Sequence, residues 1–174
     1  MFRCAAAVAA ALSVALPASF VAAQVPATSA VSSPAAPAGP YDPGADAAAD
    51  LKAAGARASV SGKRVLAVVG GNWCAWCRVL DRQTKEDSAI AGALASGFEV
   101  VKVNFSKENG NEAVRKGFGE TAVIGYPYLV VLSPDLKVLK VQETGSFETG
   151  DKKSKGYDAA KVLAFLGAWA LPKA

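Results

Sequence analysis

Two cysteines separated by two residues, Cys74 and Cys77 in Trp73-Cys74-Ala75-Trp76-Cys77, are the residues whose type and spacing most directly suggest chemistry. Such a pair can exchange disulfides, ligate a metal, hold a haem or close a small loop. The rest of the sequence separates these readings. A zinc site takes about four ligands from Cys, His or carboxylate, and the chain has three cysteines and no histidine. Haem attachment needs a histidine after the second cysteine, where Arg78 stands. Two thiolates could carry copper, usually with His or Met beside them, but the one methionine is Met1. A bridge across so short a loop contributes little chain entropy, which argues against a purely stabilising disulfide. Thiol–disulfide exchange is the leading reading, with no cofactor expected. A binding or copper-carrying module without redox turnover is its alternative. A peroxidase fits poorly, because no Thr and Arg arrangement surrounds a single cysteine.

The start of the chain bears on the compartment. Met1-Phe2-Arg3 is a short basic opening, and residues 5 to 23 are almost all Ala, Val and Leu. Val21-Ala22-Ala23 then offers small residues for cleavage before Gln24. Together these read as a secretory signal peptide over residues 1–23, with a periplasmic or secreted product. The competing reading is a retained membrane anchor, since the run is just long enough to span a bilayer, although Pro17 interrupts it. Removal of residues 1–23 takes away Cys4 and Arg3 and leaves 18 basic against 15 acidic residues, a net +3. That excess is spread along the chain and is no nucleic-acid footprint. The two remaining cysteines are too close to staple distant loops, so their chemistry is local.

Residues 24–45 are rich in Ala, Pro and Ser, with Pro26, Pro34, Pro37, Pro40 and Pro43 recurring and no charge before Asp42. Such a stretch buries too little surface to offset its chain entropy and reads as a disordered tether. A folded domain is expected over residues 46–172.

Within that domain the pattern alternates. Asp46 to Ser59 reads as a helix, and Arg64 to Val69 as a buried strand ending at Gly70-Gly71. Cys74 to about Lys85 reads as a second helix, which Asp87 to Ser96 continues until Gly97. Phe98 to Phe105 is a second strand, Glu112 to Gly117 a short helix, and Tyr128 to Leu132 a third strand. Ser133 to Leu136 turns into a fourth strand, Lys137 to Gln142. Asp158 to Ala170 closes the chain as a helix with Val162, Leu163, Phe165, Leu166 and Trp169 inward. Strands alternating with helices before a terminal hairpin predict an α/β fold, a mixed central sheet flanked by helices on both faces. In this frame Cys74 opens a helix, where free amides and the macrodipole favour a thiolate. It is the expected exposed nucleophile. Cys77, one turn on, is the more buried resolving thiol.

Strand, Trp-Cys-x-x-Cys, helix and a proline directly before a later strand resemble the thioredoxin family. The matching proline is Pro127 after Tyr126, and the resemblance extends over residues 46–172. It implies a thioredoxin-like fold, a cis-proline at Pro127 facing the cysteines, and a Tyr126 backbone available to an incoming extended peptide. An ordinary proline at the start of a strand is the plainer alternative. Trp73 resembles the family's tryptophan beside the nucleophile, and with Trp76, Tyr126 and Pro127 makes up the expected substrate-binding surface. Trp76 could equally pack down on the domain. Lys102 resembles the lysine that lies beneath the family's active site and is a candidate for proton-transfer support, or else a charge on an exposed strand face. The family's buried aspartate six residues before the nucleophile is absent: Val68 stands there, so proton transfer with Cys77 falls to water, Lys102 or a group such as Asp81. The spacer Ala75-Trp76 carries no histidine to stabilise the thiolate, which favours the reductase direction. Expected partners are cysteine-containing proteins and a membrane-bound electron donor or acceptor, with membrane contact only through an uncleaved signal segment.

Overall fold

In the computed structural model, residues 39–119, 125–151 and 156–172 are described. The expected signal peptide and residues 24–38 of the expected tether lie outside them.

The first helix, α1 (Ala47–Ser61), starts because the Asp46 carboxylate accepts the amides of Ala48 and Ala49 at 3.0 and 3.1 Å. It ends at Gly62, whose φ of 64° suits a residue without a Cβ. Strand β1 (Arg64–Gly70) follows, then α2 (Ala75–Glu86), α3 (Ser88–Gly97) and β2 (Phe98–Asn104). The short α4 (Glu112–Gly117), strands β3 (Tyr128–Leu132) and β4 (Val138–Glu143), one 3-10 turn (Gly145–Phe147) and α5 (Ala159–Trp169) complete the described elements.

The sequence pattern runs α2 and α3 together. The structure separates them at Asp87, which ends the first helix and caps the second by accepting from the Ala89 and Ile90 amides at 2.9 and 3.1 Å. An aspartate prefers a cap to a helix interior because its side chain competes for backbone amides. The remaining predicted elements occur within one or two residues of their expected limits.

The sheet order is β2-β1-β3-β4, with β1 parallel to β2 and antiparallel to β3, and β3 antiparallel to β4. This is the mixed sheet expected. Alternation divides the core. Val65, Ala67 and Val69 of β1 join Tyr128, Val130 and Leu132 of β3 beneath α1 and Phe118. Leu66 and Val68 join Leu129 and Val131 on the opposite face, under Leu80, Ile90 and the α5 residues Val162, Phe165 and Leu166. Leu163 and Trp169, expected inward, are partly buried at the edge of that layer. In the Gly145–Phe147 turn, Phe147 is buried in the same core, its ring centre 5.5 Å from that of Phe165.

Candidate active site

The site forms where β1 runs out. Beyond Gly70-Gly71 the chain turns through Asn72 and Trp73, and Cys74 becomes the N-cap of α2. Its sulfur accepts the Cys77 amide at 3.2 Å, a contact built into the two-residue spacer. Both cysteines are free thiols. The expectation of an exposed Cys74 is corrected: it is only 6% accessible, against 1% for Cys77. Loop residues across the sheet end cover it, and its thiol donates to the Tyr126 carbonyl at 3.4 Å. The order of burial is the one expected, with Cys74 the nearer to solvent. Burial, together with the neighbouring Cys74, pushes the Cys77 thiol up to about 12, so Cys77 holds its proton at neutral pH.

The Tyr126–Pro127 peptide is cis, as the resemblance implied. Pro127 is buried and Tyr126 half-buried, and the Tyr126 ring stacks on Phe105 with ring centres 4.9 Å apart. Trp73 is 57% exposed. Its indole N–H donates to the Phe105 carbonyl at 2.7 Å, and its ring meets both Phe105 and Tyr126 edge-on. Trp73, Phe105 and Tyr126 thus make an aromatic wall beside Cys74, to which Phe105 is the unforeseen contributor. Trp76 packs down in part. It is half-buried and lies 5.1 Å from the ring of Tyr157, which Gln83 clamps through both its backbone N–H and its carbonyl.

Lys102 lies on the face of the sheet that α2 covers. It pairs with Asp81, one turn after Cys77, at 3.3 Å. Burial pulls the Lys102 ammonium below its ordinary range, an effect the Asp81 carboxylate opposes. Burial would raise Asp81, but hydrogen bonds from Lys85 and Lys102 hold its carboxyl below the usual range. Val68, at the position where the resemblance called for an acid, lines an apolar cavity of about 210 Å³ with Asp81 and Lys102 in its wall. The charged pair therefore reaches the neighbourhood of the missing aspartate from α2 and β2.

Residues 46–134 match the family model described as thioredoxin-like. The chain belongs to the thioredoxin-like family. It is similar to a disulphide isomerase from Xylella fastidiosa Temecula1, with 29% identity, 76% of this chain and 98% of that one covered, and a TM-score of 0.63. It also shares its fold with the oxidised C-terminal domain of DsbD from Neisseria meningitidis, at 16% identity, 72% and 97% coverage and a TM-score of 0.51. No curated protein matches it.

Besides Phe105, three residues of this thioredoxin-like site went unread in the sequence: Tyr41, Asn72 and Gly70. Tyr41 falls inside the stretch expected to be a tether, yet it is 0% accessible and clusters with Cys74 and Cys77. Of the stretch read as a tether, Tyr41 packs into the site, while Asp42, Pro43 and Gly44 are exposed. The signal was present: Tyr41 is the only aromatic between Phe20 and Trp73, and disordered segments are poor in aromatics.

Proposed function

We propose that this chain is an extracytoplasmic thiol–disulfide oxidoreductase that exchanges disulfides with cysteine-containing proteins. The observation that carries this reading is the asymmetric dithiol at the head of α2, with Cys74 next to the aromatic wall and Cys77 behind it. In the reductase direction the Cys74 thiol releases its proton and the thiolate attacks a partner disulfide, and one partner sulfur leaves and takes up a proton. Cys77 then gives up its proton and attacks the Cys74 sulfur, which breaks the mixed disulfide and releases the second partner thiol. Two electrons and two protons pass from the dithiol to the partner, and the Cys74–Cys77 disulfide remains. A membrane-bound donor would restore the dithiol in an oxidising compartment.

Trp73, Tyr126 and Pro127 are assigned to binding the partner segment around its disulfide. Trp76, half-buried against Tyr157, is assigned to the same surface through the part of its ring that stays accessible. Lys102 with Asp81 supports proton movement around Cys77. The signal-like residues 1–23 support export, which N-terminal sequencing of the secreted protein would test by finding Gln24 first.

The deciding assay is reduction of insulin by the mature protein and by its Cys74→Ser form. Activity is expected in the first and absent in the second; equal rates would dismiss the mechanism. The reduction potential of the couple decides direction. A value around −270 mV marks a reductant, and one around −120 mV an oxidant.

A further inference from the structure

We propose that the Tyr41 hydroxyl is the hydrogen-bond donor that stabilises the Cys77 thiolate as it attacks the Cys74 sulfur, which makes Tyr41 a catalytic residue of the resolving step. This rests on the thiol–disulfide exchange reading above and adds to it a residue upstream of the matched family segment.

Four observations converge on Tyr41. Its side chain is completely buried and its hydroxyl has no partner of ordinary hydrogen-bond geometry among the described residues. The group it faces is the Cys77 sulfur, with which it interacts. Room for that meeting comes from Gly70: a Cβ there would lie 2.5 Å from the Cys77 sulfur and 2.7 Å from the Tyr41 hydroxyl oxygen. The segment is also held in place. The Tyr41 amide donates to the Asn72 side-chain oxygen at 3.0 Å, and the Asn72 side-chain amide donates to the Tyr41 carbonyl at 2.7 Å. Asn72 is two residues before Cys74, so the clamp ties the upstream segment to the loop that carries the nucleophile.

A buried hydroxyl left without a full hydrogen bond weakens a fold. Phenylalanine would fill the same space without that cost, so the hydroxyl calls for another explanation. Cys77 provides one. It is a thiol at rest and must carry negative charge to attack. At that moment the phenol gains a charged acceptor, and such bonds are about twice as strong as neutral ones. Burial and the nearby cysteine sulfurs raise the phenol above its ordinary range, so it stays protonated and able to donate. Lys102 lies over the same ring, its ammonium nitrogen 5.6 Å from the centre.

In the resolving step the Cys77 S–H bond breaks, a bond forms between the Cys77 and Cys74 sulfurs, and the Cys74–partner bond breaks. The electron pair leaves with the partner sulfur. The proton from Cys77 passes to solvent and is matched by the one the partner thiolate takes up. Tyr41 keeps its own proton throughout.

The probe is the aromatic disulfide 5,5′-dithiobis(2-nitrobenzoate), mixed with the reduced mature protein in stopped flow. Attack by Cys74 releases one thionitrobenzoate in a concentration-dependent phase. Attack by Cys77 releases the second in a concentration-independent phase, which Cys77→Ser removes. Tyr41→Phe is expected to leave the first phase unchanged and slow the second about tenfold. It should also displace the pH profile of the second phase to higher pH, with a melting temperature unchanged or raised. An unchanged second phase would overturn the proposal. So would equal slowing of both phases with a lowered melting temperature, which marks a packing role alone. A wild-type protein that reacts with the probe in two phases but reduces no protein disulfide would refute the proposed function, while the second phase would still decide the role of Tyr41.

Discussion

Cys77 and Asp81 stand one turn apart on α2, and the fold treats these two titratable groups in opposite ways. Cys77 is sealed against Gly70 and Tyr41, and burial keeps its proton on, up to about 12. Asp81 meets the ammonium groups of Lys85 at 2.7 Å and Lys102 at 3.3 Å, and stays ionised. Desolvation acts on both. The difference is the partner: a neutral phenol and the Gly71 backbone offset burial only in part, whereas two ammonium groups overcome it. One helical turn thus separates a group that must be deprotonated to work from a group that is already charged.

The largest expected effect tests the sealed side. In a Cys74→Ser protein, Cys77 at about pH 8 should react with iodoacetamide at least a hundredfold more slowly than a free cysteine, because its thiolate is scarce and covered. Alkylation followed by mass spectrometry gives the rate, and ready labelling near neutrality would erase the contrast. The same shift has a stability consequence. The native state keeps a proton that the unfolded chain loses from about pH 9, so the contribution of Cys77 is complete below that pH and declines as pH rises towards about 12.

Next in size is Gly70→Ala. The added methyl would press on both the Cys77 sulfur and the Tyr41 hydroxyl. Overpacking of this kind costs about 1–3 kcal/mol, to be read from urea unfolding, and exchange should slow with it. A variant of wild-type stability would mean that the corner is looser than its contacts indicate.

The smallest effect belongs to the charged side. Asp81→Asn leaves Lys102 half-buried without its carboxylate. The pair keeps some contact with solvent, so the loss should be about 1–2 kcal/mol, below that of a fully buried pair. Because the folded-state carboxyl titrates below its unfolded value, its contribution is present above about pH 4 and fades as pH falls through the lowered value. The variant and the wild type should therefore converge in acid. A difference that persists at low pH would place the effect elsewhere.

The elements and the dithiol were legible because their causes are local. The short apolar, β-branched runs Arg64 to Val69 and Tyr128 to Leu132 marked two strands, and the helical spacing of Val162, Phe165 and Leu166 marked α5. The break at Asp87 was harder to read, because an aspartate followed by helix-compatible residues can sit in a cap or on a solvated face, and only the path of α3 over the sheet chooses. Lys102 was ambiguous for a similar reason, since period-two spacing gives a face but not what covers it. Tyr41 was misread because its neighbours Pro40, Asp42, Pro43 and Gly44 have the composition of a linker. One aromatic side chain and an Asn72 clamp outweigh that composition.

By itself, the sequence determined the chemistry available: two thiols one helical turn apart at the head of a helix, with no histidine to compete for a metal. Spacing along one chain settles that, because covalent geometry and the helix period position Cys74 and Cys77 relative to each other. Only the tertiary structure decided how Cys77 holds and gives up its proton. Tyr41, Gly70, Asp81 and Lys102 come from four separate segments, and nothing in their spacing requires them to meet. They meet because the sheet and α2 bury them together, and burial turns their contacts into control over charge.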